Sequence, residues 1–257
     1  MRELPFISCK TVTYGRVSLL EEAIESFLKQ DYPKDKCELV IVNDYPRQNL
    51  IYDNVSNIHI YNLKETFNPI GAKENYATAL CNGDIICQWD DDDIALPNHL
   101  KNVAKYFTDT TNILHWGHGM YYNEPDITDI VSVGNSGIVF RKSAWEAIGG
   151  HPLENAGYDM TFVIRLHQYA SNGRVSALPP KEETSWMYRW SLPNANAYHQ
   201  SGQGADTPDR PNIIERHFAH VEGLREKGLI PTGDIYLDPH WNYDYVELLK
   251  KFINNNK

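Results

Sequence analysis

The chain has 257 residues, 42% of them hydrophobic and 12% aromatic, with a formal net charge of -10. That much apolar surface can offset the ordering entropy of a chain this size, which excludes disorder as the overall state. The charge excludes broad electrostatic docking on nucleic acid or an anionic membrane, since both call for a basic face, and a phosphate-bearing ligand would need a cation as intermediary.

Residues 6–12 predict a short strand, broken by Thr13-Tyr14-Gly15-Arg16. A helix follows: Ser18 and Glu21 have the spacing of a capping box, and Leu19, Leu20, Ala23, Ile24, Phe27 and Leu28 recur at helical intervals before Pro33. Leu39-Val40-Ile41-Val42 is a continuous apolar run of strand length, as expected of a parallel strand covered on both faces, and it ends at Asn43-Asp44. Residues 58–63 predict a third strand, and Asn68-Pro69-Ile70-Gly71 a turn. Residues 72–81 then carry Tyr76, Ala79 and Leu80 on one helical face, Asn82-Gly83 stops the helix, and residues 84–89 form a fourth strand that runs into four consecutive aspartates.

Beyond Pro97 the pattern is less regular: a helix near 98–107, short strands near 113–116 and 138–141, and helices over 143–148 and 159–170. Segments 213–227 and 243–253 read as a helical tail that wraps the rest. This order predicts an α/β fold with a mostly parallel sheet flanked by helices, a mixed α+β second half and a helical C-terminal extension. One compact unit over 1–257 is expected, with a regular α/β half at 1–93, a less regular half at 94–205 and the extension at 206–257. Ligands of such sheets bind beyond the carboxyl ends of the strands. Tyr14 with Arg16, Asp44, and the run Asp90 to Asp93 each follow a predicted strand, so three groups distant in sequence should converge on one rim.

No apolar run approaches the ~20 residues that span a bilayer, and the start carries Arg2 and Glu3 in place of a signal peptide's apolar core. A cytoplasmic protein without an integral membrane segment is expected. Cys9, Cys37, Cys81 and Cys87 lie singly, mostly in apolar stretches and with no CxxC pair, which predicts buried reduced thiols.

Four adjacent carboxylates at a strand end cannot all remain ionised and unpaired, because like charges a few Å apart raise one another's pKa. A divalent cation shared with phosphate oxygens would resolve this. A solvated acidic turn is the alternative, and the apolar anchors Ile85, Ile86 and Trp89 before the run and Ile94, Leu96 and Pro97 after it count against that. An extended backbone would point Asp90 and Asp92 to one side and Asp91 and Asp93 to the other. A calcium loop of EF-hand type fits poorly, because Ala95 occupies its sixth position, where glycine is needed.

The ordered series Thr13-Tyr14-Gly15-Arg16, Val40-Ile41-Val42-Asn43-Asp44, Gly71-Ala72-Lys73-Glu74-Asn75, Gly83-Asp84-Ile85-Ile86 and Trp89-Asp90-Asp91-Asp92-Asp93 resembles the inverting glycosyltransferases of family 2, with the GT-A fold, over about residues 6–202. The resemblance implies transfer of a sugar from a nucleotide diphosphate, most often UDP, onto the hydroxyl of a glycan or lipid-linked glycan, assisted by Mn²⁺ or Mg²⁺, with no nucleic acid partner and a place in polysaccharide biosynthesis. It assigns Val12, Tyr14, Arg16, Asp44, Lys73, Asp90 and Asp91 to the nucleotide sugar and Asp92 to the metal. Within the series Glu74 stands where arginine is often seen, and Asn43 replaces the first acid of a common Asp-Asp pair.

Further along, Gly157-Tyr158-Asp159, followed by Phe162 and Arg165-Leu166, resembles the family's Glu-Asp segment at a helix start, whose second acid takes the proton of the acceptor hydroxyl. The resemblance therefore makes Asp159 the catalytic base, with Tyr158 in the place of the glutamate. Tyr188-Arg189-Trp190 and Tyr198-His199-Gln200-Ser201-Gly202 resemble the closing segment of related enzymes, and His199 becomes a third metal ligand, which favours manganese. Gly149-Gly150-His151 resembles a turn below the acceptor site, and Gly134-Asn135-Ser136-Gly137 offers exposed backbone near where donor and acceptor would meet. Trp186 and Trp190 have the chemistry to stack on a sugar, yet core packing is the more common role for aromatics at this density, while His115 and His118 lack partners at metal spacing and read as structural.

Two other readings stay open. A sugar nucleotidyltransferase would call for a glycine-rich, basic loop where the chain has Thr13 to Arg16. A non-catalytic carbohydrate-binding protein of the same fold would have no need of Asp92 and Asp159 together.

Overall fold

The computed structural model describes residues 3–114, 119–123, 126–131, 137–155, 157–170, 180–189 and 213–255. The first part alternates strand and helix: β1 (Ile7–Thr13), α1 (Val17–Leu28), β2 (Cys37–Asn43), β3 (Gln48–Ile51), β4 (Ile58–Asn62), α2 (Ile70–Leu80) and β5 (Ile85–Gln88). The second is mixed: β6 (Ile94–Ala95), α3 (His99–Tyr106), β7 (Ile113–Leu114), β8 (Gly119–Asn123), β9 (Asp126–Val131), β10 (Val139–Arg141), α4 (Lys142–Ala147), α5 (Tyr158–Tyr169) and β11 (Trp186–Arg189). The C-terminal part adds α6 (Ile213–Glu226), β12 (Gly233–Tyr236) and α7 (Tyr245–Asn255).

The main sheet has the order β4-β2-β1-β5-β10-β7, with β4, β2, β1 and β5 parallel and β10 antiparallel to both its neighbours. Every residue of β2 is buried, as its unbroken apolar run requires of a strand covered on both faces. One core lies between the sheet and α1 and α3, around Leu20, Ile24, Phe27, Leu39, Trp89 and Leu100. The other lies under α4 and α5, around Ile86, Phe140, Ala144, Phe162 and Leu166. All four cysteines are buried and unpaired as disulfides. Among the described residues no helix is long and apolar enough to cross a membrane.

Two local expectations are corrected, and the choice between two roles for Trp186 is decided. The capping box does not form: α1 begins at Val17, Ser18 already lies inside it, and Glu21 instead accepts the backbone N–H of Asp238 at 2.9 Å. The C-terminal extension is not purely helical, because β12 pairs in parallel with β3 in a small separate sheet, Gly233 opposite Gln48. Trp186 is core rather than a sugar platform: it is 1% exposed and packs edge-on to Trp89 with ring centroids 5.8 Å apart. Trp190, His199, His115, His118 and the stretch 134–136 lie outside the described residues.

A second sheet, β6-β11-β8-β9, flanks the aspartate run. It is tied to the N-terminal half by Arg189, whose Nη2 donates to Glu22 Oε1 on α1 at 2.9 Å, both side chains being 1% exposed.

Candidate active site

Parallel register places the ends of β1, β2 and β5 side by side: Thr13 pairs with Asn43, and Lys10 with Gln88. The chain leaving each strand end therefore arrives at one edge. After β1, Gly15 at φ +73° adopts the left-handed backbone that glycine tolerates best and turns Arg16 back across the edge.

A first cavity, of about 50 Å³, is lined by Val12, Thr13, Tyr14, Arg16, Asp44 and Lys73 from the strand ends and α2, by Phe67 and Ile70, and by His217 and Phe218 from α6. Its rings are gathered around Tyr14, whose centroid is 4.8 Å from those of Tyr45 and Phe218 and 5.7 Å from that of His217. These rings pack on one another and give the cavity an aromatic wall against which a planar base could lie. Burial raises the Tyr14 phenol above its ordinary value. Burial, followed by the nearby Arg16 and Lys73 charges, lowers His217 to about 3, so it is a neutral wall of the cavity.

Asp44 is 2% exposed and already engaged at both oxygens: Lys73 Nζ donates to Oδ1, and the backbone N–H of Phe67 donates to Oδ2 at 2.9 Å. Lys73 also donates to the Thr13 carbonyl at 2.7 Å. The local motif Gly71-Ala72-Lys73-Glu74-Asn75 now has a physical reason at each outer position. A Cβ on Gly71 would sit 1.8 Å from the Pro152 carbonyl oxygen, so only glycine lets the start of α2 approach the 150–155 segment. Asn75 locks that segment, its Oδ1 accepting from His151 N at 2.7 Å and its Nδ2 donating to His151 O at 2.9 Å.

The aspartate run is a turn, not an extended chain, with Asp93 N close to Asp90 O at 3.5 Å. The expected alternation of side chains is therefore overturned. Asp91 and Asp92 converge on one guanidinium: Arg16 Nε donates to Asp91 Oδ2 at 3.1 Å and Nη1 to Asp92 Oδ2 at 2.8 Å. Burial works against the Arg16 charge, yet the two carboxylates hold its pKa above the ordinary value. Burial also raises Asp91, with Arg16 opposing the shift. Asp93 is a strut, accepting from Trp186 Nε1 at 3.0 Å and from the Arg189 N–H at 2.9 Å. Asp90 faces the other way, accepting from Gln88 Nε2 at 2.8 Å, and burial followed by the Asp92 charge pushes its carboxyl up to about 7.

A second cavity, of about 90 Å³, brings Asp90 and Asp159 together with Glu74, Gln88, His151 and Tyr158, closed by Ile138, Phe162 and Val163. Asp159 sits in the first turn of α5, which starts after Gly157. Burial holds the Tyr158 phenol well above its usual range and the His151 imidazole well below its own, so both are neutral.

Among the described residues no group of three or more histidine, cysteine, aspartate and glutamate side chains is gathered into a metal cage. The donors present, the Asp90 and Asp92 carboxylates, are hard oxygens. They suit a Mg²⁺- or Mn²⁺-type cation that completes its shell with phosphate and water rather than an all-protein site.

The residues missed from sequence are Glu74 and Gln88 in the second cavity and Phe67, His217 and Phe218 in the first, while His151 reads from sequence only as part of a turn below the acceptor site. The Gly-Ala-Lys-Glu-Asn stretch was a signal for Glu74, whereas nothing in the sequence pointed from α6 to the strand ends.

A mostly parallel sheet of this order, flanked by helices and with cavities at the ends of its parallel strands, is the architecture of GT-A glycosyltransferases. The glycosyl transferase family 2 model matches residues 8–149, and the chain belongs to that family of glycosyltransferases. Among solved structures, S. aureus TarS 1–349 aligns with a TM-score of 0.58 at 20% identity, over 72% of this chain and 60% of that one. The same protein in complex with UDP-GlcNAc aligns with a TM-score of 0.60 at 18% identity, over 86% of this chain and 76% of the other. The mannosyltransferase PcManGT from Pyrobaculum calidifontis, in complex with GDP-Man and Mn²⁺, aligns with a TM-score of 0.53 at 15% identity, over 98% of this chain and 81% of that one. The chain spans only 37% of a longer TarS chain. No curated protein matches the chain.

Proposed function

We propose that the chain transfers a sugar from a nucleoside diphosphate, UDP in the first instance, to an acceptor hydroxyl in a single displacement that inverts the anomeric centre. The observation that carries this reading is that Asp90 and Asp159 line one cavity and Tyr14, Arg16 and Asp44 another, while Arg16 pairs with Asp91 and Asp92, the two residues that follow Asp90.

On this reading the base stacks among Tyr14, Phe67 and Phe218, with Val12 and Lys73 alongside. Asp44, fixed by Lys73 and the Phe67 amide, holds the wall of that slot in place. The diphosphate passes Arg16, a permanent cation at the boundary between the cavities. Asp92 would hold a Mn²⁺ or Mg²⁺ ion, with Asp90 in support and His199 as a further ligand, and such an ion bound there neutralises the charge of the departing diphosphate. Asp159 takes the proton from the acceptor hydroxyl as that oxygen bonds to C1 of the sugar. The C1–O bond to the diphosphate breaks, and its electron pair leaves with the phosphate oxygen.

The parts of the chain divide accordingly: residues 1–93 serve the donor, 94–205 the acceptor together with one wall of the cavity that takes the donor sugar, and the extension from 206 closes the base slot through α6. The acceptor is a glycan or lipid-linked glycan. PcManGT holds GDP-Man with Mn²⁺ and TarS holds UDP-GlcNAc, which supports a nucleotide sugar with a divalent cation as the ligand class.

The test is thermal stabilisation and slow hydrolysis with a panel of UDP- and GDP-sugars, with Mn²⁺ and with chelator. A UDP-sugar that raises the melting temperature and is hydrolysed only with metal is the expected result, because a ligand bound to the folded state stabilises it by mass action. A chain that responds to no nucleotide sugar in either condition would overturn the reading, and a response to GDP-sugars alone would overturn the choice of UDP.

A further inference from the structure

We infer that the cavity beneath Asp159 is a donor-sugar pocket that selects an uncharged hexose and rejects a ring carrying a carboxylate, with Glu74 and His151 as the residues that set the choice. The inference rests on the donor reading above and goes further by naming the chemistry of the sugar.

The first support is continuity. Lys73 lines the base slot and its neighbour Glu74 lines this cavity, while Asp90 faces this cavity and the next two residues meet Arg16. One ligand can therefore keep its base in the first cavity, its diphosphate at the divide and its sugar in the second.

The second support is charge. Three carboxylate side chains line the pocket, Glu74, Asp90 and Asp159, and no lysine or arginine does. Lys10, which pairs with Glu74, is 0% exposed and is consumed by Glu74 and Gln88 behind the wall. What the pocket offers a ligand is mostly hydrogen-bond acceptors. Sugar hydroxyls can donate to these, whereas a carboxylate on the ring would meet like charge in a partly desolvated site.

The third support is independent of the acidic side chains. His151 is 4% exposed, its ring stacks on Phe162 at 3.7 Å between centroids, and its Nδ1 is buried with no hydrogen-bond partner among the described residues. A buried polar nitrogen without a partner costs stability, and a hydroxyl able to donate or accept would satisfy it. Burial keeps this ring neutral, so it supplies no counter-charge for an anion. Ile138, Phe162 and Val163 give the apolar wall against which the C–H face of a pyranose can lie.

The experiment is calorimetry on the full chain with Mn²⁺, comparing UDP, UDP-glucose with UDP-glucuronate, and UDP-galactose with UDP-galacturonate. Within each pair the ring differs only in carrying a hydroxymethyl or a carboxylate. At least one UDP-hexose should bind more tightly than UDP, and each uronate should bind about tenfold or more weaker than its parent. His151→Phe keeps the ring stack and removes the nitrogens; it should leave UDP affinity within about twofold while erasing most of the increment from the hexose. Glu74→Gln should shrink the parent-to-uronate ratio. A uronate that matches or exceeds its parent, a hexose that adds nothing to UDP, or a His151→Phe protein with the increment intact would overturn the inference. Failure of UDP itself to bind would instead remove the donor reading beneath it.

Discussion

Lys10 on β1 and Glu74 on α2 form an ion pair whose side chains are 0% and 3% exposed. The second Glu74 oxygen accepts the Tyr158 hydroxyl at 3.3 Å, so two of the three positions at which the chain departs from the family pattern, Glu74 for arginine and Tyr158 for glutamate, meet each other in space. Each departure alone looks like a lost contact. Together with Lys10 they link the start of α5, which carries Asp159, to the central strand.

A buried pair of this kind is costly to break and cheap to replace, because the penalty lies in stranding one charge. Glu74→Ala should lower the unfolding free energy by about 3–5 kcal/mol, leaving the Lys10 ammonium buried with only Gln88 as partner. Lys10→Met combined with Glu74→Gln keeps an acceptor for Tyr158 and should recover most of that loss. Urea titration at constant slope measures both. A double variant as unstable as Glu74→Ala would show that Lys10 is not the partner that matters.

Asp159→Asn keeps the size of the side chain and removes the base. Transfer should fall by about 10² to 10⁴-fold in kcat, with nucleotide affinity little changed, since Asp159 lines the sugar cavity and not the base slot. Full transfer activity in this variant would move the base elsewhere.

How far the site could be read from sequence depended on the range of the signal. The strand-end rule worked for Tyr14, Asp44 and Asp90 because β1, β2 and β5 are adjacent and parallel, so residues just past each strand must share an edge. Spacing misled where a tertiary partner competed for the same atoms. Ser18 and Glu21 have the right interval for a cap, yet Glu21 is taken by the Asp238 N–H, far away in sequence. The aspartates have strand-like neighbours, but Asp93 is drawn to Trp186 and Arg189 and folds the run into a turn. His217 and Phe218 were illegible for a different reason: the pattern of α6 says that one face is covered but not by what. Lys10 was hidden within an apolar strand, and its partner lies 64 positions away.

Asp92→Ala tests the cation. Mn²⁺-dependent affinity for the nucleotide diphosphate should fall roughly tenfold or more, equivalent to about 1.4 kcal/mol, while affinity in chelator stays near that of the parent protein. Arg16 retains Asp91 in this variant, so the guanidinium is not set adrift. Calorimetry with and without EDTA reads both values. Equal Mn²⁺-dependent affinity in variant and parent would remove Asp92 from the metal shell.

His151 supplies a pH signature that needs no ligand. Burial holds its folded-state pKa well below 6.5, whereas the unfolded chain protonates it near that ordinary value. As the pH falls through 6.5 the unfolded state therefore binds the extra proton, and stability declines by up to about 1.4 kcal/mol per pH unit from this one group. Above that range both states carry a neutral ring and the contribution vanishes. His151→Phe has no proton to take up, so the stability difference between parent and variant should be flat above neutrality and should shift in favour of the variant as the solution is acidified. Chemical denaturation of both proteins between about pH 7.5 and about pH 5 measures it. Parallel curves across that range would mean that His151 accepts its proton inside the fold, and the imidazole would then be open enough to water to need no partner from a bound sugar.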